Sequence, residues 1–259
     1  MTVLQAAILG LIQGLTEFLP ISSSGHLVLF QRFFGLSKGV LTFDVFVHLG
    51  TLVAVFAVFW QDILALLKKP WQRLTALIIT GTIPTGIMGL GLKDFFEKIF
   101  ASGSTLGVEF IATGVILWWA ESIRQRNKGV DQITYADAAF VGFMQGVAIL
   151  PAISRSGLTI AGALFRGIDR DTAARFSFLI SIPAILGAAL VDGKDVIQAG
   201  TVGVGTIPLI VGTVVSAVAG YFAIRIMLRI LRQGTLKVFS YYVWALGILV
   251  IILQLTGIL

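Results

Sequence analysis

Two short stretches of this chain hold residue types that could do chemistry together. The first runs Gln13-Gly-Leu-Thr-Glu17-Phe-Leu-Pro-Ile-Ser22-Ser23-Ser24-Gly-His26. The second runs Pro151-Ala-Ile-Ser154-Arg155-Ser156-Gly-Leu-Thr159. If they meet, they assemble a carboxylate, an imidazole, a guanidinium and a row of hydroxyls. Arg155 offers a planar fork of donors that suits phosphate oxygens. Glu17, Gln13 and the hydroxyls could hold a divalent cation or manage a proton. Gln13 and Glu17 are four apart and so share one helix face. Plainer roles also exist. Glu17 could serve only as an ion-pair partner of Arg155, His26 as the cap of a short helix, and any single Ser as an N-cap. Arg155 is the hardest to explain that way, because a charge at membrane depth must meet something negative. Asp44 and His48 are also four apart, and His48 reads as a packed or cavity-lining residue rather than a catalyst.

The elements that must position these residues are two broken apolar stretches, 3–35 and 136–165. Each is interrupted at its motif by Pro20 or Pro151, and Pro ends a helix by removing a donor and crowding the preceding turn. Ser and Gly then restart a helix as N-cap residues. Each half is about four turns at most, so each stretch reads as a helix–loop–helix hairpin that enters a membrane and turns back. The restarted half-helices aim free N–H groups at the tips, and helix N-termini bind anions. Two such ends with Arg155 make a reinforced anion site. The stretches are copies at an offset of 132. Ala6, Ala7, Gly10, Gln13, Gly14, Ile21, Ser22, Ser24 and Gly25 meet Ala138, Ala139, Gly142, Gln145, Gly146, Ile153, Ser154, Ser156 and Gly157 without a gap.

A membrane setting follows from composition. Of 259 residues, 57% are hydrophobic and only 12% charged, about half the charged share of an average soluble domain. Six further apolar segments are near the roughly 20 residues a spanning helix needs: 42–60, 74–92, 105–120, 171–191, 204–224 and 238–258. The expected fold is an all-α integral membrane protein with six transmembrane helices plus two re-entrant hairpins. It forms one membrane domain, with repeat one about 1–130 and repeat two about 131–259. Three spans separate the hairpins, so they enter from opposite faces. Such an inverted-topology repeat places a site at the midplane between broken helices. The net charge of +6 sits in connectors, which points to membrane topology and away from nucleic acid. One side receives Lys68, Lys69, Arg73, Arg124, Arg126, Lys128, Arg166, Arg170, Arg175, Arg225, Arg229, Arg232 and Lys237. The other receives Arg32, Lys38, Lys93, Lys98 and Lys194. The first side is therefore cytoplasmic, both termini lie outside, and Arg155 belongs to neither set. The N-terminus lacks the marks of a cleaved signal peptide. Without cysteine, neither a disulfide nor a thiolate site can form.

The first motif resembles the (E/Q)xxxE segment of the undecaprenyl-diphosphatase family of the bacitracin-resistance type, and the second resembles that family's PGxSRSxxT segment. The resemblance covers nearly the whole chain. It implies hydrolysis of undecaprenyl diphosphate to the monophosphate and inorganic phosphate, recycling the lipid carrier of cell-wall synthesis. It implies a bacterial inner-membrane protein whose cleft opens to the outer side. Catalytic roles would then fall to Glu17, Ser23, His26 and Arg155, with Gln13, Ser22, Ser24, Ser154, Ser156 and Thr159 binding substrate. Arg155 and the helix ends would hold the diphosphate while Ser23 attacks the terminal phosphorus. Glu17 or His26 would take its proton, His26 could protonate the leaving oxygen, and direct attack by water stays open. Mg²⁺ or Ca²⁺ could assist at Glu17; no covalent cofactor is implied, and a homodimer is left open. Two departures stand out. Ala152 replaces the usual Gly, and Gln13 leaves Glu17 as the sole carboxylate of its pair, which weakens any metal site needing both. The competing expectation is a transporter or flippase for an anionic polyprenyl lipid, since inverted repeats with broken helices are common among carriers.

Overall fold

Apolar runs without internal breakers become helices here, and the breaks fall where Pro, Ser and Gly cluster. The structure is a computed structural model that describes residues 1–36, 40–123, 127–199 (backbone alone over 194–199) and 204–258. Among the sequence's topological charges, Lys38, Arg124 and Arg126 and the side chain of Lys194 lie outside the described residues. The described chain is all-α. In order the helices are α1 (Val3–Phe18), α2 (Ser23–Phe33), α3 (Val40–Val58), α4 (Trp60–Lys68), α5 (Arg73–Gly91) and α6 (Lys93–Ser102). They continue with α7 (Leu106–Ser122), α8 (Tyr135–Val147), α9 (Arg155–Phe165), α10 (Arg170–Ala199), α11 (Thr206–Gln233) and α12 (Lys237–Leu255). A 3₁₀ turn covers Val130–Gln132. Among the described residues there is no strand, only an isolated bridge between Lys128 and Ile168.

Five helices are long and apolar enough to cross a membrane: α3, α5, the Arg170–Gly193 part of α10, α11 and α12. A sixth crossing exists only if α6 and α7 count as one bent span, because they meet at 111°. The segment expected at 105–120 is α7, with 17 residues. Its partner α6 carries Lys93, Asp94, Glu97 and Lys98 and ends at Gly103, whose left-handed backbone, φ 60°, sits at the bend. Helix α4 was likewise not apparent from hydropathy. It is an amphipathic helix of 9 residues after α3.

The two broken stretches fold alike. Each starts on a capping box, Thr2 with Gln5 for α1 and Thr134 with Asp137 for α8, and these pairs stand at the same offset of 132. Each then packs by close backbone approach. A Cβ on Gly10 would collide with the Gly212 carbonyl of α11, and one on Gly142 with the Gly81 carbonyl of α5. Small residues of this kind let apolar helices approach where no hydrophobic drive operates between them. Outer helices α7 and α12 pair by the same device, with Gly247 against the Gly107 carbonyl.

One end of the bundle is laced by its basic residues. Arg73 donates to the carbonyls of Asp131 and Ile133. Arg170 pairs with Glu121, Arg232 with Asp171 at 2.7 Å, and Arg175 with Asp62 at 3.0 Å. Asp137, fully buried, is held by Lys128 at 3.0 Å and Arg166 at 2.7 Å. These connectors fix the ends of α4, α5, α7, α8, α10, α11 and α12 relative to one another.

Candidate active site

The site forms where the two breaks touch. Helix α1 ends at Phe18 and α2 starts at Ser23 with Ser22 as N-cap. Helix α8 ends at Val147 and α9 starts at Arg155 with Ser154 as N-cap. The tips exchange hydrogen bonds. Ser22 Oγ donates to the Pro151 carbonyl at 2.9 Å, and Ser156 Oγ to the Leu19 carbonyl at 3.1 Å. Gly25 leaves no room for a side chain between itself, Phe110 and Ala152. The N-termini of α2 and α9 therefore open at one place, and their free N–H groups and positive dipole ends favour an anion there.

Glu17 is the hub. It is 6% exposed, and every contact on its carboxylate comes from a residue that could act in chemistry. Its Oε1 accepts from the Arg155 guanidinium. Its Oε2 accepts from Ser23 Oγ at 2.5 Å and from Gln13 Nε2 at 2.9 Å. His48 Nε2 stands 3.7 Å from the same Oε2. A carboxylate this close to a hydroxyl is placed to remove its proton. Arg155 spends one nitrogen on Glu17. Its Nη1 is buried and finds no partner among the described residues, as does Gln13 Oε1. A donor and an acceptor are thus both unsatisfied beside the same carboxylate; the donor suits a ligand oxygen, and the acceptor suits a hydroxyl or a cation.

The remaining sequence candidates divide. Ser22 caps α2 by accepting from the Gly25 N–H and is the sole non-glycine residue with positive φ, 68°, among those described. Such a conformation costs on the order of 1–3 kcal/mol and persists only where its surroundings enforce it. Here Pro151 and His26 do so. Ser154 caps α9 by accepting from the Gly157 N–H at 3.1 Å. Thr159 donates to the Arg155 carbonyl at 2.8 Å and meets Ser177 Oγ at 2.5 Å, deep in the core. Ser24 lies half-buried next to Ser23. Of the serines, Ser23 alone reaches Glu17.

His26 sits apart from that pair. Its Nδ1 is 2.6 Å from the Ser22 carbonyl and its Nε2 2.8 Å from the Tyr242 hydroxyl, and its ring stacks on Tyr242 with an edge toward Phe110. The carbonyl requires a proton on Nδ1. The geometry therefore gives His26 no contact with Ser23. It holds the strained tip in place.

Four neighbours were not legible as site residues. His48 had only its spacing to Asp44 as a signal. Glu109 accepts the Ala152 N–H at 2.6 Å, and Thr113 accepts the Ser154 N–H at 3.2 Å while donating to the Ala152 carbonyl at 3.2 Å. Together they brace the loop that carries Arg155. Nothing in their local sequence marked them, and the same is true of Tyr242.

The chain is similar to known proteins over nearly its whole length. A model described as bacitracin resistance protein BacA matches residues 6–249. The undecaprenyl-diphosphatase of Carboxydothermus hydrogenoformans is 59% identical over 255 residues, covering 98% of each chain. That of Halothermothrix orenii is 48% identical over 255 residues, again 98% of each. An undecaprenyl-diphosphatase 4 of Bacillus cereus is 49% identical over the same span and shares.

Proposed function

This chain belongs to the bacitracin resistance protein BacA family, and on that premise we propose that it hydrolyses undecaprenyl diphosphate to undecaprenyl phosphate and inorganic phosphate. The observation that carries the proposal is the buried Glu17 carboxylate, gripped by Arg155 on one oxygen and by the Ser23 hydroxyl on the other. Arg155 and the N-termini of α2 and α9 bind the diphosphate and stabilise charge on the oxygens of the transferring phosphoryl group. Glu17 takes the proton of Ser23 as Ser23 Oγ bonds to the terminal phosphorus. The bridging P–O bond breaks, and the lipid monophosphate leaves with its electron pair. Glu17 then gives up that proton, takes one from water as the water oxygen attacks the phosphoserine, and hands it to Ser23 Oγ as phosphate leaves. Glu17 and not His26 is the base in this scheme, because His26 faces Ser22 and Tyr242. All named residues come from one chain, so the chemistry is complete in a monomer or in each half of a homodimer.

A divalent cation, Mg²⁺ or Ca²⁺, fits as a companion of the substrate. Among the described residues no group of three His, Asp or Glu is placed to hold a metal. Glu17 and the unpartnered Gln13 Oε1 would contribute two oxygens, with diphosphate and water supplying the rest. Such an ion would neutralise diphosphate charge.

The broken stretches α1–α2 and α8–α9 read as re-entrant hairpins of an inverted repeat. Their matched capping boxes and matched glycine contacts to α11 and α5 support this. At 11 residues each, α2 and α9 are about 16 Å long, half a bilayer. The laced basic end is then cytoplasmic, the termini lie outside, and the cleft opens to the outer side of a bacterial inner membrane. A transport role is less favoured, because an anion carrier has no need of a hydroxyl paired with a base. The test is phosphate release from a long-chain polyprenyl diphosphate by purified protein in detergent with Mg²⁺ or Ca²⁺, wild type beside Arg155→Ala. Release by the wild type and its loss in the variant support the proposal. A folded wild type that releases none returns the question to transport assays.

A further inference from the structure

Glu17 Oε2 has a neighbour that the scheme above leaves idle. His48, in mid-α3, holds Nε2 3.7 Å from that oxygen. Its Nδ1 lies 2.7 Å from the Asp44 carbonyl one turn earlier. A carbonyl can only accept, so Nδ1 carries a proton, and neutral His48 presents a bare Nε2 to the carboxylate. Two acceptors face each other, and a single proton between them resolves the mismatch. That proton arrives when Glu17 deprotonates Ser23. His48 is 28% exposed against 6% for Glu17, so it is the member of the pair that opens outward.

We propose, on the phosphatase reading above, that His48 is the proton relay of this site, accepting on Nε2 the proton that Glu17 Oε2 has taken from Ser23 and passing it on to water. The need for it lies in the two steps. Glu17 must act as base for Ser23 and again for water, and a carboxyl group still holding the first proton cannot take the second. The balance is simple. The Ser23 O–H bond breaks as O–P forms, the leaving lipid monophosphate keeps the bridging electrons, and the proton moves from Oε2 to Nε2. Other charged groups surround His48. Glu17 faces it from α1. Asp44 precedes it on α3, held by Gln31 Nε2 of α2 at 2.6 Å, with Asp192 of α10 in electrostatic reach of Asp44. Helix α11 packs on the next turn of α3 through Thr213 and Ser216 against Gly50. Acting through Glu17 and not on substrate, His48 is a positioning residue.

The experiment measures phosphate release from a long-chain polyprenyl diphosphate in detergent across about pH 5–9 for wild type, His48→Gln and His48→Ala. Loss of a relay should lower kcat roughly 10- to 100-fold, at the low end of acid–base effects, with KM within about twofold. Free imidazole should restore His48→Ala severalfold, which decides the matter even if His48→Gln folds poorly. Variants with wild-type kcat overturn the relay. So does a loss that imidazole cannot restore. A wild type that releases no phosphate overturns the phosphatase reading and the relay with it, whereas an active wild type with unaffected variants overturns the relay alone.

Discussion

Replacing Glu17 with Gln should lower kcat and KM together, an unusual pairing that follows from the double engagement of this carboxylate. In the free protein Glu17 is the counter-ion of Arg155 and the base for Ser23. Gln keeps the shape and can still accept from Ser23, but it cannot take a proton. Losing a positioned base costs roughly 10²- to 10⁴-fold in kcat. Binding moves the other way. A terminal phosphate on Arg155 would lie about 5 Å from the Glu17 charge. At an effective dielectric of about 20 that repulsion is at most roughly 3 kcal/mol. Taking a third of it, because the phosphate also displaces part of the Arg155–Glu17 attraction, leaves about 1 kcal/mol, or roughly fivefold in affinity. The variant also strands Arg155, and an uncompensated charge at such a site costs up to about 3–5 kcal/mol of stability. Inorganic phosphate should restore that partner and raise the melting temperature of Glu17→Gln more than that of wild type. Steady-state kinetics and thermal melts in detergent check both halves. A kcat within tenfold of wild type, or a KM that rises severalfold, would refute the shared-carboxylate reasoning.

Two other predictions concern packing and the cation. Gly142→Ala should destabilise the protein by about 1–3 kcal/mol or more, read as a lowered melting temperature, because its Cβ would strike the Gly81 carbonyl where α8 crosses α5. EDTA should abolish phosphate release while leaving the melting temperature unchanged, since the proposed ion travels with the substrate and is not resident.

Much of this site was legible because its signals are local. Pro20 and Pro151 mark the breaks, Ser22 and Ser154 fall at helix starts, and the shared offset ties the two tips. Arg155 and Glu17 are charged residues amid apolar surroundings, so their pairing was an open reading from the start. What stayed hidden depends on contacts between elements far apart in sequence. The family resemblance implies a proton-handling role for His26 beside Ser23. The fold instead turns its ring to Tyr242, 216 positions on. Glu109 and Thr113 brace the Arg155 loop from α7, yet in sequence they are polar residues at the start of an apolar helix. Helix α6 escaped notice for a related reason. Hydropathy reports how apolar a segment is, and the 111° bend into α7 falls where Gly103, with left-handed backbone, ends α6.

In the proposed mechanism Ser23, primed by Glu17, attacks the terminal phosphorus. Phosphate release by Ser23→Ala beside wild type tests it most directly, with circular dichroism confirming that both are folded. A fall of at least roughly 10³-fold is expected, since Ser23 is the hydroxyl among the described residues that reaches Glu17 Oε2. Turnover near the wild-type rate would contradict it and would hand the attack to water.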